Sequence, residues 1–288
     1  MSPQIASLHR YPVKSTRGHD LQCVELDPWG LRDDRRWMLI DADGECATAR
    51  VYPSLLSVTA EFDPATQMLT LHRPDTEPLI VPVPDGPAEA VTVHRKPATG
   101  VDAGAAAHAW FSAITGVPVR LIYQRRPQDR PTNPAWSLPD DRVSFADAYP
   151  LLVCTTASLD ALNDLVAQGR FADEGPLDMR RFRPNAVISG AGMQPWIEDG
   201  WRRIRLGDTT FRIAKGSARC ILTTTDPDSC ERGREPLATL AKHRRFDGRS
   251  WFGINVIPEV RIDDLATLTV GDRVEVLESV DHREGPPR

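Results

Sequence analysis

Apolar residues in the first hundred positions come in short runs separated by turn residues, a pattern typical of β-strands. Residues 36–41 predict one strand, and residues 46–50 predict its return partner across an Asp-Gly turn. A further strand is predicted at 68–71. Valine and proline alternate from 80 to 93, which predicts edge strands, because proline has no N–H to donate to a neighbouring strand.

Three segments carry the signals of helices. Alanines fill residues 102–116, where Asp102 is the expected N-cap and Gly116 the expected end. Ser158 is expected to cap a second helix over 159–168. A third helix is predicted over 234–245, with a proline near its first turn and basic residues in its last turn.

The second half of the chain also contains strand signals. Residues 150–154 form an apolar strand, and residues 204–213 and 268–276 each alternate apolar and polar positions around a Gly-Asp turn. Both of these alternating segments predict β-hairpins. The residues after Ser279 are expected to be frayed, as chain ends commonly are.

These elements predict an α+β fold of two β-rich, barrel-like domains with a few peripheral helices. A length of 288 residues fits two domains. We place the first domain at 1–125, a proline-rich connector at 126–142, the second domain at 143–280 and a flexible tail at 281–288. A proline-rich segment is commonly a plain connector, although an ordered loop of this length can also rim a functional site.

Charge and hydropathy narrow the class of protein. The formal net charge is −5, which argues against a general nucleic-acid binder. No apolar run reaches the roughly 18 residues of a membrane helix, and the N-terminus lacks the apolar segment of a signal peptide. We therefore expect a cytoplasmic protein with no membrane span and no nucleic-acid partner.

Five cysteines are the other notable feature of the composition. Their number is odd and no CxxC pair occurs, which argues against a zinc ribbon or a disulfide framework. Most are expected to be buried core thiols, so any special cysteine must be identified by its surroundings. No P-loop, HExxH or GxSxG motif is present, and the start of a dinucleotide fingerprint at Gly190 is interrupted by Pro195.

Four segments offer more specific chemistry. Residues 11–18 (YPVKSTRG) set a lysine and hydroxyls beside a proline turn, a combination that suits a phosphate or carboxylate. Residues 30–38 lead basic residues into an apolar strand. Residues 180–189 hold an arginine and an asparagine two positions apart, which are expected to share one side of an extended segment. Residues 216–227 place Cys220 directly after an arginine, a setting that favours a reactive thiolate.

In this order the four segments resemble the MOSC family (molybdenum cofactor sulfurase C-terminal domains), in particular its amidoxime-reducing branch, which carries an N-terminal MOSC β-barrel domain. The resemblance spans roughly residues 3–279. It rests on YPVKS, an arginine-rich stretch ending in RW, TAR at 48–50, YPLLV, RFRPN, RCILTTTDPD, EPLATL, FGIN and the final VGDRV.

The resemblance implies a molybdenum cofactor (Mo-molybdopterin), with Cys220 as the metal ligand and with Cys220 and Asp147 as catalytic residues. A thiolate is a soft ligand that suits such a metal, and guanidinium groups suit a phosphate. The residues that it implies for cofactor binding are Lys14, Ser15, Arg35, Asp147, Tyr149, Arg183, Asn185, Ser217, Arg219, Cys220 and Asn255. Arg50, Thr223 and Asp226 are further candidates near the site.

Plainer interpretations compete at several of these positions. Lys14 or Arg35 taken alone would be a surface charge, and Asn185 could be a local backbone cap. Two positions also depart from the family pattern, since Ala218 and Ala148 stand where relatives carry hydroxyl residues. These departures bear on substrate preference rather than on cofactor binding.

The implied activity is reduction of N-hydroxylated compounds such as amidoximes and hydroxylamines. No cysteine follows Cys230, so no internal iron–sulfur relay is expected. Electrons would come from a separate protein, a ferredoxin or a flavin or haem reductase system.

The alternative is a non-catalytic carrier of the cofactor, or of sulfur on Cys220. That carrier type normally follows a pyridoxal-phosphate-dependent domain, and none precedes residue 3. A specialised biosynthetic role in N–O or N–N chemistry stays open.

Overall fold

The computed structural model describes residues 2–288 and builds them mainly from short strands. In chain order the strands are β1 (Gln4–Arg10), β2 (His19–Leu21), β3 (Cys23–Asp27), β4 (Gly30–Leu31), β5 (Trp37–Ile40), β6 (Cys46–Ala47), β7 (Thr59–Asp63), β8 (Met68–His72), β9 (Leu79–Pro82), β10 (Ala88–Val93), β11 (Lys96–Asp102), β12 (Arg120–Tyr123), β13 (Leu151–Thr155), β14 (Ala186–Ser189), β15 (Trp201–Leu206), β16 (Thr209–Ala218), β17 (Arg245–Phe246), β18 (Arg249–Pro258), β19 (Thr267–Thr269) and β20 (Val274–Ser279).

The α-helices are α1 (Ala105–Thr115), α2 (Thr156–Ala167) and α3 (Leu237–His243), so the third is shorter than predicted. As predicted, α1 ends at Gly116, which adopts the left-handed conformation with φ 74°. Its predicted cap is wrong, because Asp102 is still part of β11 and only its carboxylate reaches forward, to the N–H of Gly104. No helix in residues 2–288 combines the length and the apolar character needed to cross a membrane.

The largest sheet has nine strands and forms a nearly closed barrel. Its strand order is β2-β1-β14-β13-β18-β16-β15-β20, with β17 paired to β18. Only β13 and β14 run parallel among its pairs. A five-stranded sheet has the order β10-β11-β12-β5-β6, and two three-stranded sheets have the orders β19-β3-β4 and β7-β8-β9. This architecture confirms the predicted α+β class.

The two largest hydrophobic clusters do not divide at a single point of the chain. Ile5 and Leu8, from β1, pack with Ile188 and Ile204 in the core of the nine-stranded sheet. The second core is built around Trp37 and other residues of the first half. The predicted boundary at residue 125 assigns β1 to the first domain by its position in the sequence. In the structure β1 packs in the nine-stranded sheet, whose other strands come mainly from the second half of the chain.

One of the two predicted hairpins is wrong. β15 and β16 do form a hairpin, but β19 pairs with β3 and β20 pairs with β15. The Gly-Asp turn between β19 and β20 is present, but its backbone forms hydrogen bonds with β1. The N–H of Gly271 donates to the carbonyl of Ile5, and the N–H of Ile5 donates to the carbonyl of Asp272.

The C-terminal tail is packed rather than flexible, which corrects the expectation for 281–288. Pro286 is buried, and the carbonyl of Pro287 accepts a 2.7 Å hydrogen bond from the N–H of Gly216 in β16. Arg288 donates to the carboxylate of Asp247 at 2.8 Å. The tail thereby fixes the strand that leads to Cys220.

A buried carboxylate lies at the start of α2. The hydroxyl of Thr155, rather than the predicted Ser158, caps this helix by accepting from the N–H of Ser158. Both hydroxyls then donate to the carboxylate of Glu198, at 3.1 and 2.9 Å. Burial, with a contribution from the neighbouring Asp199, raises the pKa of Glu198 from 4.5 to about 7.

This raised pKa predicts a pH-dependent effect of Glu198→Gln on stability. The folded state binds the proton of Glu198 more tightly than the unfolded state does, so the wild type loses stability as the pH rises from 4.5 through 7. We expect Glu198→Gln to raise the free energy of unfolding at pH 8 by roughly 1–3 kcal/mol, with the gain shrinking towards pH 5. Urea denaturation at both pH values measures it, with the exposed Glu77→Gln as control. Equal behaviour of the two variants would contradict the assignment.

Candidate cofactor site

A cavity of about 460 Å³ is lined by residues from both halves of the chain. Its lining carries one carboxylate, Asp147, against eight lysine and arginine side chains: Lys14, Arg35, Arg50, Lys96, Arg183, Lys215, Arg219 and Arg249. The whole chain has a formal charge of −5, so positive charge is concentrated locally. The volume and the charge suit an organic anion.

Asp147 gathers three of the surrounding side chains. Its carboxylate accepts hydrogen bonds from Lys14 and, at 2.6 Å, from Arg50, and it lies 3.1 Å from Nε2 of His94. Partial burial opposes ionisation, but the charge of Lys14, with His94 and Arg50, holds the pKa of Asp147 well below its ordinary range. The group is thus a permanent anion at neutral pH.

The backbone around Lys14 forms the turn expected from YPVKS. Lys14 is 5% exposed, and its ammonium donates to the carbonyl of Phe145 at 2.9 Å as well as to Asp147. Burial lowers the pKa of Lys14, and Asp147 opposes that shift. Ser15 is held in the left-handed region at φ 72°, a conformation that costs energy for a residue with a side chain.

Two arginines of the site lie against the ring of one tyrosine. The guanidinium groups of Arg35 and Arg183 lie 4.4 and 4.3 Å from the ring centroid of Tyr11. The pairing is a cation–π arrangement that fixes both groups. A Cβ at Gly18 would lie 2.3 Å from the same ring, so this stack requires a glycine there. Burial lowers the pKa of Arg183 to about 10, which still leaves it charged at neutral pH.

Arg183 and Asn185 do not share one side of an extended segment as predicted. Arg183 is left-handed, with φ 57°, at the end of a 3₁₀ helix. The amide of Asn185 is 1% exposed and is used within the protein: its oxygen accepts from Arg35 and from the N–H of Leu152, and its nitrogen donates to Asp34. Asn185 therefore lines the cavity together with Arg183, and its amide orients Arg35.

Cys220 follows the end of β16 and begins a short 3₁₀ helix. Its carbonyl accepts from both the N–H and the hydroxyl of Thr223, at 3.1 and 2.9 Å. Arg219 donates to Ser217 and to the carbonyl of Phe182, both at 2.7 Å. The half-buried Cys220 is the one cysteine among the described residues that lines the cavity. The other four thiols lie elsewhere and are also unpaired.

Arg50, a weaker candidate from sequence, lines the cavity and pairs with Asp147. Burial works to lower the pKa of Arg50, but the neighbouring carboxylate of Asp147 raises it instead. Asp226, in contrast, lies outside the cavity lining. Its carboxylate pairs with Arg181 at 2.8 Å and caps the next turn, which favours a structural role.

Two buried polar atoms of the lining residues have no hydrogen-bond partner in the described part of the chain. They are the hydroxyl of Tyr149 and Nε of Arg219. An unpaired buried donor costs free energy that a bound ligand would recover. Asn255 lines the cavity too, although its amide donates to the carbonyl of Gly216 at 3.1 Å.

Four lining residues with titratable side chains were missed from sequence: His94, Lys96, Lys215 and Arg249. His94 occupies the two-residue turn between β10 and β11, where it and Arg95 both have positive φ without being glycine. The carboxylate of Glu45 supports this turn by accepting from both backbone N–H groups, at 2.8 and 3.0 Å. The sequence signal that could have identified His94 is the Val-His-Arg-Lys turn, which contains no glycine. A two-residue hairpin turn forces positive φ on its residues, and backbone strain of this kind often accompanies a functional site.

The proline-rich connector contributes to the site from one side. Asn133 lines the cavity. Arg130 is 5% exposed and donates to the carbonyls of Ala146 and Asp147, at 2.7 and 3.4 Å. This segment therefore fixes the loop that presents Asp147.

Comparison with known proteins gives two domain matches. The MOSC N-terminal beta barrel domain matches residues 2–118, and the MOSC domain matches residues 140–275. Mitochondrial amidoxime-reducing component 1 from Homo sapiens is 33% identical over 290 residues, which cover 95% of this chain and 82% of the relative. Mitochondrial amidoxime reducing component 2 from Homo sapiens is 29% identical over 94% of this chain and 82% of its own. Molybdenum cofactor sulfurase from Oryza sativa subsp. japonica is 30% identical over 87% of this chain but only 32% of its own length.

The central place of Asp147 predicts a loss of stability when its charge is removed. In Asp147→Asn, the ammonium of Lys14 and the guanidinium of Arg50 would face each other without a counter-charge. We expect the free energy of unfolding at pH 7 to fall by about 1 kcal/mol, a modest value because Asp147 is half exposed. Its depressed pKa means that the difference persists from pH 8 down to pH 5 and is lost only in stronger acid.

Urea denaturation of the cofactor-free protein measures this difference. The control is Asp129→Asn, which removes an exposed carboxylate that is also paired with an arginine, Arg126 at 2.7 Å. Equal stability of the two variants across this pH range would show that Asp147 does not balance the cavity charge.

Proposed function

The chain belongs to the MOSC family, with a MOSC N-terminal beta barrel domain followed by a MOSC domain, and from this premise we propose that it is a molybdenum-cofactor-dependent reductase of N-hydroxylated compounds. The observation that carries the proposal is the single lining thiol, Cys220, in a cavity walled by eight cationic side chains. The reaction consumes two electrons and two protons, cleaves an N–O bond and releases water.

The residues of the cavity fit this cofactor. Its phosphate needs cations, and its planar pterin needs donors at fixed positions. The buried Tyr149 hydroxyl and Arg219 Nε are unpaired, so they can supply such donors. The thiol of Cys220 is a soft ligand, which suits molybdenum better than the oxygen and nitrogen donors around it do.

When bound, the cofactor supplies the two-electron chemistry of the reaction. Cys220 would hold the metal, and Lys14, Ser15, Arg35 and Arg183 would hold the anionic part of the cofactor. Asp34 and Asn185 fix Arg35 in place before the ligand arrives, so little reorganisation is needed on binding.

We assign Asp147 the role of positioning Lys14 and Arg50, and not the role of a proton donor. Its depressed pKa keeps it ionised, so it has no proton to give at neutral pH. It holds Lys14 and Arg50 in their places, on the same cavity wall that carries Cys220. Electrons would arrive from a separate protein, a ferredoxin or a flavin or haem reductase system, and the cytoplasm stays our predicted compartment.

A second candidate is a carrier of the cofactor, or of sulfur on Cys220, without turnover. The similarity to molybdenum cofactor sulfurase favours it. The two candidates differ in one measurable respect, because a carrier would hold molybdenum without reducing a substrate.

Replacement of Cys220 tests the proposal. The wild type and Cys220→Ala are expressed in a host that makes the cofactor, and molybdenum is measured by elemental analysis. Benzamidoxime reduction is then followed with a chemical electron donor. We expect stoichiometric metal and turnover in the wild type, and a loss of more than about 100-fold in activity together with loss of metal in Cys220→Ala.

Cys230→Ala is the matched control, because this thiol lies outside the cavity lining and packs against the core that is built around Trp37. It should keep both metal and activity. Metal without turnover in the wild type would favour the carrier, and an active, metal-loaded Cys220→Ala would contradict the role of Cys220.

A further inference from the structure

The eight cations of the cavity fall into two groups. Five of them have acceptors within the protein: Lys14, Arg35, Arg50, Arg183 and Arg219 donate to carboxylates, a hydroxyl or backbone carbonyls. The side chains of Lys96, Lys215 and Arg249 have no hydrogen-bond or ion-pair partner among residues 2–288. Lys96 and Arg249 are exposed, whereas Lys215 is half-buried and therefore calls for an explanation.

Lys215 is held by aromatic faces in place of a counter-ion. Its ammonium lies 4.4 Å from the ring centroid of Trp136 and 5.9 Å from that of Trp251. Burial lowers its pKa, and the nearby Arg249 lowers it further. Asp247 acts in the opposite direction, but its carboxylate is bound to Arg288 at 2.8 Å. The charge of Lys215 is thus uncompensated within the protein.

The strand directs Lys215 towards the cavity. β16 shifts register against β18 between Ile213 and Lys215, and such a bulge turns a side chain away from its regular direction. Lys215 lies on the same segment as Cys220, five residues before it, so its ammonium lines the cavity that also contains the proposed metal ligand.

We propose that Lys215, assisted by Arg249, binds a carboxylate on the substrate, so that the substrates are N-hydroxylated compounds that carry an anionic group. This inference rests on the proposed function. The resemblance implies that the cofactor is held by Lys14, Ser15, Arg35 and Arg183, which leaves Lys215 outside the set needed for it. A carboxylate placed there would relieve the repulsion between Lys215 and Arg249, and the indoles of Trp136 and Trp251 would flank it.

The test compares benzamidoxime with 3- and 4-carboxybenzamidoxime on the holoprotein. We expect the wild type to prefer a carboxylated compound by about tenfold in kcat/KM, and Lys215→Met to lose about tenfold of that preference. The preference should shrink as the ionic strength rises, since salt screens the attraction. Lys242→Met, an exposed lysine of α3, is the matched control and should behave as the wild type.

Several outcomes overturn the inference. Equal preference in the wild type and in Lys215→Met would exclude a role for Lys215 in substrate choice. Loss of molybdenum and pterin from Lys215→Met would show that the bound anion belongs to the cofactor. If the holoprotein reduces none of the three compounds, the proposed function fails. Calorimetric binding of the same compounds then still tests the carboxylate site. Equal affinity for the neutral and the carboxylated compounds would refute binding of a carboxylate by Lys215.

Discussion

The structure depends on the cost of collecting positive charge in one cavity. Like charges that share a partly buried site repel one another, and burial penalises each of them. Two carboxylates offset part of this repulsion: Asp147, in the cavity lining, pairs with Arg50, and Asp34 pairs with Arg35. Backbone carbonyls accept hydrogen bonds from Lys14 and Arg183. The cations that make these contacts are therefore fixed in place before any ligand binds. The excess of positive charge that remains in the cavity favours binding of an anion.

The same contacts hold the two halves of the chain together. The side chain of Asn185 joins Arg35 and Asp34, from the first half, to the N–H of Leu152 in β13. β1 completes the nine-stranded sheet, and the C-terminal Pro287 secures Gly216 beside the cavity. The cavity thus lies where segments distant in sequence meet, and four of its lining residues, Ser15, Arg35, His94 and Arg183, adopt the left-handed backbone conformation. Strain of this kind persists only where surrounding packing enforces it.

Local signals in the sequence predicted β5, the end of α1 at Gly116, and the β15–β16 hairpin, because each depends on neighbouring residues. The second hairpin failed because its turn bonds to β1, a partner more than 250 residues away in sequence. Family resemblance led to Lys14, Arg35 and Cys220, all of which line one cavity. It could not show that the amide of Asn185, which also lines the cavity, hydrogen-bonds to Arg35 and to the backbone of Leu152. Lys215 was missed because a register shift in β16, which has no clear sequence signal, directs it inward.

The ligand sphere of the metal tests the central claim most directly. X-ray absorption at the molybdenum edge of the holoprotein counts the sulfur atoms bound to the metal. If Cys220 is the ligand, the spectrum will contain one sulfur beyond those that the dithiolene of the cofactor supplies. A sulfur count that the dithiolene alone explains would contradict the account.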